Sequence, residues 1–140
     1  MLITKRRLVL TGLVLAGLLL APACNRTSEK LQPVVLGIED NGGQVEVAAG
    51  QEIILRLAAN PSTGYGWQLV QLDESLLQMQ GDPQFENSDP GDLSLVGING
   101  WEVFRFVPSG AGEAELELGY RRPWENEQPL ETFKIRVIVH

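Results

Sequence analysis

Glu113-Ala114-Glu115-Leu116-Glu117-Leu118-Gly119-Tyr120 alternates between two kinds of residue, with Ala114, Leu116, Leu118 and Tyr120 on one side and Glu113, Glu115, Glu117 and Gly119 on the other. Successive side chains of an extended strand point to opposite faces, so this segment reads as a β-strand with one buried and one wet face. The acidic row is then a solvated face and carries no functional weight. The same period recurs elsewhere in the chain. Phe133, Ile135, Val137 and Val139 alternate with Lys134, Arg136 and Ile138; Phe104 and Phe106 alternate with Val103, Arg105 and Val107; Ile53, Leu55 and Leu57 alternate with Ile54 and Arg56. Turn-forming residues separate the runs at Asp40-Asn41-Gly42-Gly43, Ala49-Gly50, Asn60-Pro61, Pro108-Ser109-Gly110 and Asn126 to Pro129. Asn41-Gly42-Gly43, between Val34–Ile38 and Gln44–Val47, reads as a hairpin turn. Asp73 to Leu77 hints at one short helical turn, and Gln80 to Leu95 is the longest irregular stretch. About seven short strands without repeats or a long helix predict an all-β fold, an immunoglobulin-like antiparallel β-sandwich.

The start of the 140-residue chain has a different character. Lys5, Arg6 and Arg7 precede Leu8 to Leu20, which contains only Leu, Val, Ala, Gly and one Thr; Ala21-Pro22-Ala23 and the single cysteine, Cys24, follow. A basic segment, an apolar run and small residues read as a signal peptide over 1–23. The apolar run spans roughly 20 Å as a helix, short of a ~30 Å hydrocarbon core. Cysteine directly after it resembles a bacterial lipoprotein, in which that residue carries lipid and becomes the first of the mature chain. Ala21-Pro22-Ala23 also fits ordinary cleavage and secretion, and an uncleaved anchor is a third reading; the lone Cys at this position favours lipidation. The expected organisation is a tether over 24–32 and one domain over 33–140, lipid-anchored at the bacterial cell envelope through Cys24.

Removing 1–23 leaves 117 residues with eight basic and eighteen acidic side chains, a net charge of −10. A chain this acidic is a poor match for phosphate backbones, so no nucleic-acid partner is expected. One cysteine precludes an intrachain disulfide. One histidine, the terminal His140, precludes a His-rich metal site and an internal Ser/His or Cys/His pair. No cofactor, metal or enzymatic activity is expected, and a monomer is. Asp82, Asp89 and Asp92 match no known Ca²⁺-loop spacing.

Three segments are too rich in special residues to be plain connectors. Asn60-Pro61-Ser62-Thr63-Gly64-Tyr65-Gly66-Trp67 combines an extended Asn-Pro, two hydroxyls able to bond their own backbone and two glycines. Trp67 reads as core, and Pro61 to Gly64 as contact surface. Val96-Gly97-Ile98-Asn99-Gly100-Trp101 forms a tight crest, for which a simple hairpin turn is the stronger reading on this stretch alone. Tyr120-Arg121-Arg122-Pro123-Trp124-Glu125 places Arg and Trp in a polar loop, and these residue types dominate binding hot spots.

Residues 60–67 closely resemble the NPxTG-aromatic-x-W motif of the chagasin-like inhibitors of papain-type cysteine proteases. Gly97-Ile98-Asn99-Gly100 stands where that family has GxGG, and Arg122-Pro123-Trp124 where it has RPW. The departure is Asn99 in place of glycine. The resemblance covers about 34–139 and implies an immunoglobulin-like sandwich whose three loops lie side by side and wedge into a protease cleft. By resemblance, Asn60, Pro61, Ser62, Thr63, Gly64 and Tyr65 sit over the catalytic residues, with Thr63 nearest the nucleophile. Gly97, Ile98, Asn99, Gly100 and Trp101 line one side; Arg122, Pro123 and Trp124 pack on the other. The partner implied is a papain-family cysteine protease. The alternative is an envelope-anchored binding or adhesion module for another protein or a carbohydrate.

Overall fold

The computed structural model describes residues 30–88 and 99–140. The leader with Cys24, and Gly97 and Ile98 of the second loop, lie outside the described residues, as do Asp89 and Asp92. The described chain forms nine strands: β1 (Val34–Leu36), β2 (Gln44–Val47), β3 (Ile53–Ala59), β4 (Gly66–Leu72), β5 (Leu77–Met79), β6 (Gln84–Asn87), β7 (Gly100–Pro108), β8 (Gly112–Arg121) and β9 (Glu131–Val139). They build two sheets. One runs β1-β3-β7-β5, with β6 also on β7; the other runs β2-β9-β8-β4.

The inward phase of each alternating run fills the space between the sheets. Ile53, Leu55, Leu57, Phe104 and Phe106 of one sheet meet Leu116, Leu118, Phe133, Ile135 and Val137 of the other, all fully or almost fully buried. Burying side chains of this size contributes about 1.5–3 kcal/mol each before ordering costs are subtracted. Glu115 and Glu117 stay on the outer face as expected, where Lys134 lies 3.2 and 3.8 Å from them. Exposed pairs of this kind contribute little to stability.

The hairpin expected at Asn41-Gly42-Gly43 does not form. β1 pairs in parallel with β3, and β2 in parallel with β9, so the turn carries the chain from one sheet to the other. A 3-10 turn over Ile38–Asp40 comes first, with the Gly37 N–H donating to Asp40 Oδ2 at 2.9 Å. The Asn41 amide then docks on β9, donating to the Thr132 carbonyl at 2.9 Å and accepting the Lys134 N–H at 2.8 Å. The Asn41 side chain thus satisfies backbone groups of β9 and fixes the turn against that strand.

The strand count also exceeds the expected seven or so. β5 and β6 lie end to end along one edge of β7, pairing with Pro108–Phe106 and Val103–Gly100 respectively. Between them Gly81 takes φ +70°. Residues 84–87, read from sequence as irregular, are therefore strand. Asp73 to Leu77 forms the single turn expected, the Asp73 carbonyl accepting from Leu76 and Leu77 N–H at 3.1 and 2.8 Å.

Candidate functional site

Strand register alone brings the three loops to one end. Ala59, the last residue of β3, pairs with Gly100, the first of β7; in the other sheet Gly66, the first of β4, pairs with Arg121, the last of β8. The chain leaving β3 and β8 and entering β4 and β7 therefore meets at a single end of the sandwich. Sandwiches present their functional loops in this way, on a rigid frame.

The first loop is a self-bonded knuckle. Asn60 is extended and its side chain caps a 3-10 turn over Pro61–Thr63, Oδ1 accepting from the Ser62 N–H at 3.2 Å and the Ser62 hydroxyl at 2.6 Å. The Thr63 hydroxyl donates to the Asn60 carbonyl at 2.7 Å and accepts the Tyr65 N–H at 3.3 Å. Gly64 closes the turn at φ +80°, where a side chain would be strained. Pro61, Ser62 and Thr63 stand exposed at the tip. Thr63 thus has its hydroxyl, N–H and carbonyl all bonded within the loops, its N–H donating to the Asn60 carbonyl at 3.1 Å.

The third loop locks onto the first. Arg122 Nε donates to the Thr63 carbonyl at 3.1 Å, and its guanidinium lies 4.5 Å from the centre of the Tyr65 ring. Glu125 steadies Arg122 through a 2.9 Å bond, and this hydrogen bond is the main reason the guanidinium is held above its ordinary pKa. The Trp124 ring covers Gly64 so closely that a Cβ there would sit 2.6 Å from Cη2. Even so, Trp124 is 69% exposed, the largest exposure of any described aromatic residue among the exposed hydrophobic side chains. Pro123 is exposed beside it. Cation–π contact and ring-on-glycine packing thus make one body of two loops.

Beneath the tips, the aromatic residues form a base. Tyr120 lies 5.6 Å from Tyr65 and 5.2 Å from Trp67, and its hydroxyl accepts the Asn60 N–H at 3.2 Å. Trp67 is 5% exposed, as expected for a core residue, and its indole N–H donates to the Ala58 carbonyl at 3.0 Å.

The second loop contributes its root among the described residues. The Asn99 carbonyl accepts from both the N–H and the hydroxyl of Ser88. Gly100 is buried, and a Cβ there would collide with the Glu86 carbonyl and the Phe85 ring. Trp101 turns to the outer face of its sheet, 38% exposed, with the Arg56 guanidinium 5.3 Å from its ring. It is thus placed at the side of the loop cluster, not in the knuckle of loops one and three.

Glu102 was not singled out from the sequence. It lies on the inward phase of β7 with Phe104 and Phe106, and its Oε2 accepts the Trp67 N–H at 2.8 Å. Burial pushes its carboxyl above the usual glutamate value, partly opposed by that hydrogen bond. A carboxylate at an inward strand position was the available signal. Tyr120 and Glu125 act through a hydroxyl and a carboxylate whose partners only the folded chain brings near.

Comparison with known proteins follows the same outline. Residues 46–137 match the model of the chagasin family of peptidase inhibitors, I42, a span that includes all three loops. The chain is similar to chagasin of Trypanosoma cruzi, 32% identical over 87 residues, covering 60% of this chain and 76% of that protein. It is also similar in fold to the cysteine protease inhibitor EhICP2 from Entamoeba histolytica, with TM-score 0.69 and 22% identity, covering 79% of this chain and 97% of the other. PbICP-C, solved in complex with falcipain-2, shares the fold at TM-score 0.54 and 16% identity, covering 78% and 92% of the two chains.

Proposed function

Since this chain belongs to the chagasin family of peptidase inhibitors, we propose that it inhibits papain-type cysteine proteases reversibly, placing loops 60–67, 96–101 and 120–125 across the active-site cleft. The observation that carries this reading is the knuckle of loops one and three, cross-tied through Arg122, Thr63, Tyr65 and Trp124, with its tips exposed. A surface already bonded to itself loses little freedom on binding, which leaves more of the contact energy as affinity. Thr63 lies at the tip, nearest the nucleophile, and Trp124 is the aromatic anchor on one flank. Hydroxyls, amides, a guanidinium and rings give a thiolate no electrophile among the described loop residues, so inhibition is by occupancy. The relatives are inhibitors and not enzymes, and this chain works likewise by binding. An adhesion or carbohydrate module is not favoured, because the most exposed aromatic ring among the described residues, Trp124, stands in a loop and the family match covers 46–137.

Hydrogen exchange of the protein alone and bound to papain tests the placement. Amides of residues 60, 62–65, 122 and 124 slow on binding, while β2 and the turn at 41–43 exchange as before. Protection confined to an outer sheet face would contradict it.

Lys5 to Arg7, the apolar run Leu8–Leu20 and Cys24 support an inhibitor held by lipid at a bacterial cell envelope, with 24–32 as tether and 33–140 as inhibitor domain. Palmitate labelling present in the wild type and lost in Cys24→Ser is the expected result. Label retained by Cys24→Ser, or absent from the wild type, rules this out.

A further inference from the structure

Among the described residues β4 is an edge strand, paired with β8 on one side. An edge amide turned away from its partner strand ordinarily bonds water. The Trp67 N–H instead meets the Glu102 carboxylate, which reaches across from β7 in the opposite sheet at 2.8 Å. The two carboxylate oxygens also lie 3.6 and 3.7 Å from where a Cβ on Gly66 would stand, so the group is seated against the backbone at the exit of loop one. Its position in the chain matters as much as its bond. Trp67 is three residues past Gly64 at the knuckle, and Glu102 is two residues past Gly100 at the root of loop two. A single contact therefore spans two loops and two sheets.

The surrounding bonds complete a frame. Trp67 is tied a second time through its indole N–H to Ala58, just before loop one begins, and Asn60 is tied to Tyr120, where loop three begins. Every root of the loop end is thus connected: the β3–β7 ladder ties the entry of loop one to the root of loop two, and Glu102 ties the exit of loop one there. A half-buried carboxylate is an unfavourable choice for a strand whose neighbouring inward residues are Phe104 and Phe106, since its charge must be desolvated. An apolar residue would fill the space but would leave the Trp67 amide without its acceptor.

We propose that Glu102 is a positioning residue for inhibition, setting the spacing between loop one and loop two before a protease is met. The inference rests on the inhibitor reading above and adds a residue outside the contact loops. It acts through Trp67 and Gly66 and does not itself touch the protease.

The test uses the full chain with Glu102→Ala and Glu102→Gln, and Val137→Ala as a core control remote from the loops. Glu102→Ala is expected to weaken papain binding about 10- to 50-fold, because the loops must then be ordered on binding. Glu102→Gln keeps a carbonyl oxygen for the Trp67 N–H and is expected to bind within about threefold of wild type. Val137→Ala lowers Tm and leaves affinity unchanged, which separates positioning from general stability. Wild-type affinity in Glu102→Ala, or a Glu102→Gln variant as weak as Glu102→Ala, would overturn the proposal. Hydrogen exchange of the free protein gives a readout independent of any protease: the amides of Trp67 and residues 62–65 exchange at least tenfold faster in Glu102→Ala and near the wild-type rate in Glu102→Gln. If wild type fails to bind papain, the inhibitor reading falls by itself. Unchanged exchange in Glu102→Ala sinks the positioning role in either case.

Discussion

Thr63→Arg weakens inhibition of papain by a hundredfold or more, a loss of about 2.7 kcal/mol or greater in binding, while the sandwich stays folded. Thr63 stands exposed at the tip of the first loop, and its hydroxyl holds the Asn60 carbonyl and the Tyr65 N–H. Arginine supplies neither the short hydroxyl nor a small outline at that tip. It also brings a second guanidinium close to Arg122, which already bonds the Thr63 carbonyl. Thr63 itself is no part of the core, so Tm falls only slightly. Inhibition assays paired with thermal unfolding separate the two effects. A Thr63→Arg variant that inhibits like the wild type would place the contact surface elsewhere.

The largest effect on stability is expected from Gly100→Ala. The position is buried where β7 begins, pairs with Ala59 on one side and Asn87 on the other, and leaves no room for a Cβ between the Glu86 carbonyl and the Phe85 ring. The Phe85 ring can turn aside, but the Glu86 carbonyl is backbone, so β6 must shift or detach from β7. Overpacking of this kind costs about 1–3 kcal/mol. For a domain of this size that lowers Tm by roughly 4–20 °C. Gly110→Ala, with open space around its Cβ position, is the control and leaves Tm unchanged. Equal Tm values for the two variants would mean that β6 does not pack on Gly100 as described.

Both predictions depend on features the sequence revealed to different degrees. Alternation in 113–120 and 133–139 specified strands and their inward faces, because burial follows directly from the period of two. Period two does not name a strand's partner. The turn at 41–43 looked like a hairpin by its Asn-Gly signal, yet its bonds go to Thr132 and Lys134, 91 and 93 residues away. Such partners are chosen by the assembled sheets and leave no local trace. The motifs singled out three loops, and marked Trp67 as core, but not the way loop three grips loop one. Arg122 illustrates this: its residue type pointed to contact with a partner, and in the fold it bonds Thr63, Glu125 and the Tyr65 ring. Glu102 was legible in principle, as a carboxylate in phase with Phe104 and Phe106, and acquires meaning only beside Trp67.

Titration of papain with the full chain, followed by hydrolysis of a small peptide substrate, bears most directly on the central claim. Activity is predicted to fall linearly to near zero at one inhibitor per enzyme, to return on dilution, and to leave the inhibitor chain uncut. Full papain activity in a molar excess of folded protein at micromolar concentration would contradict it.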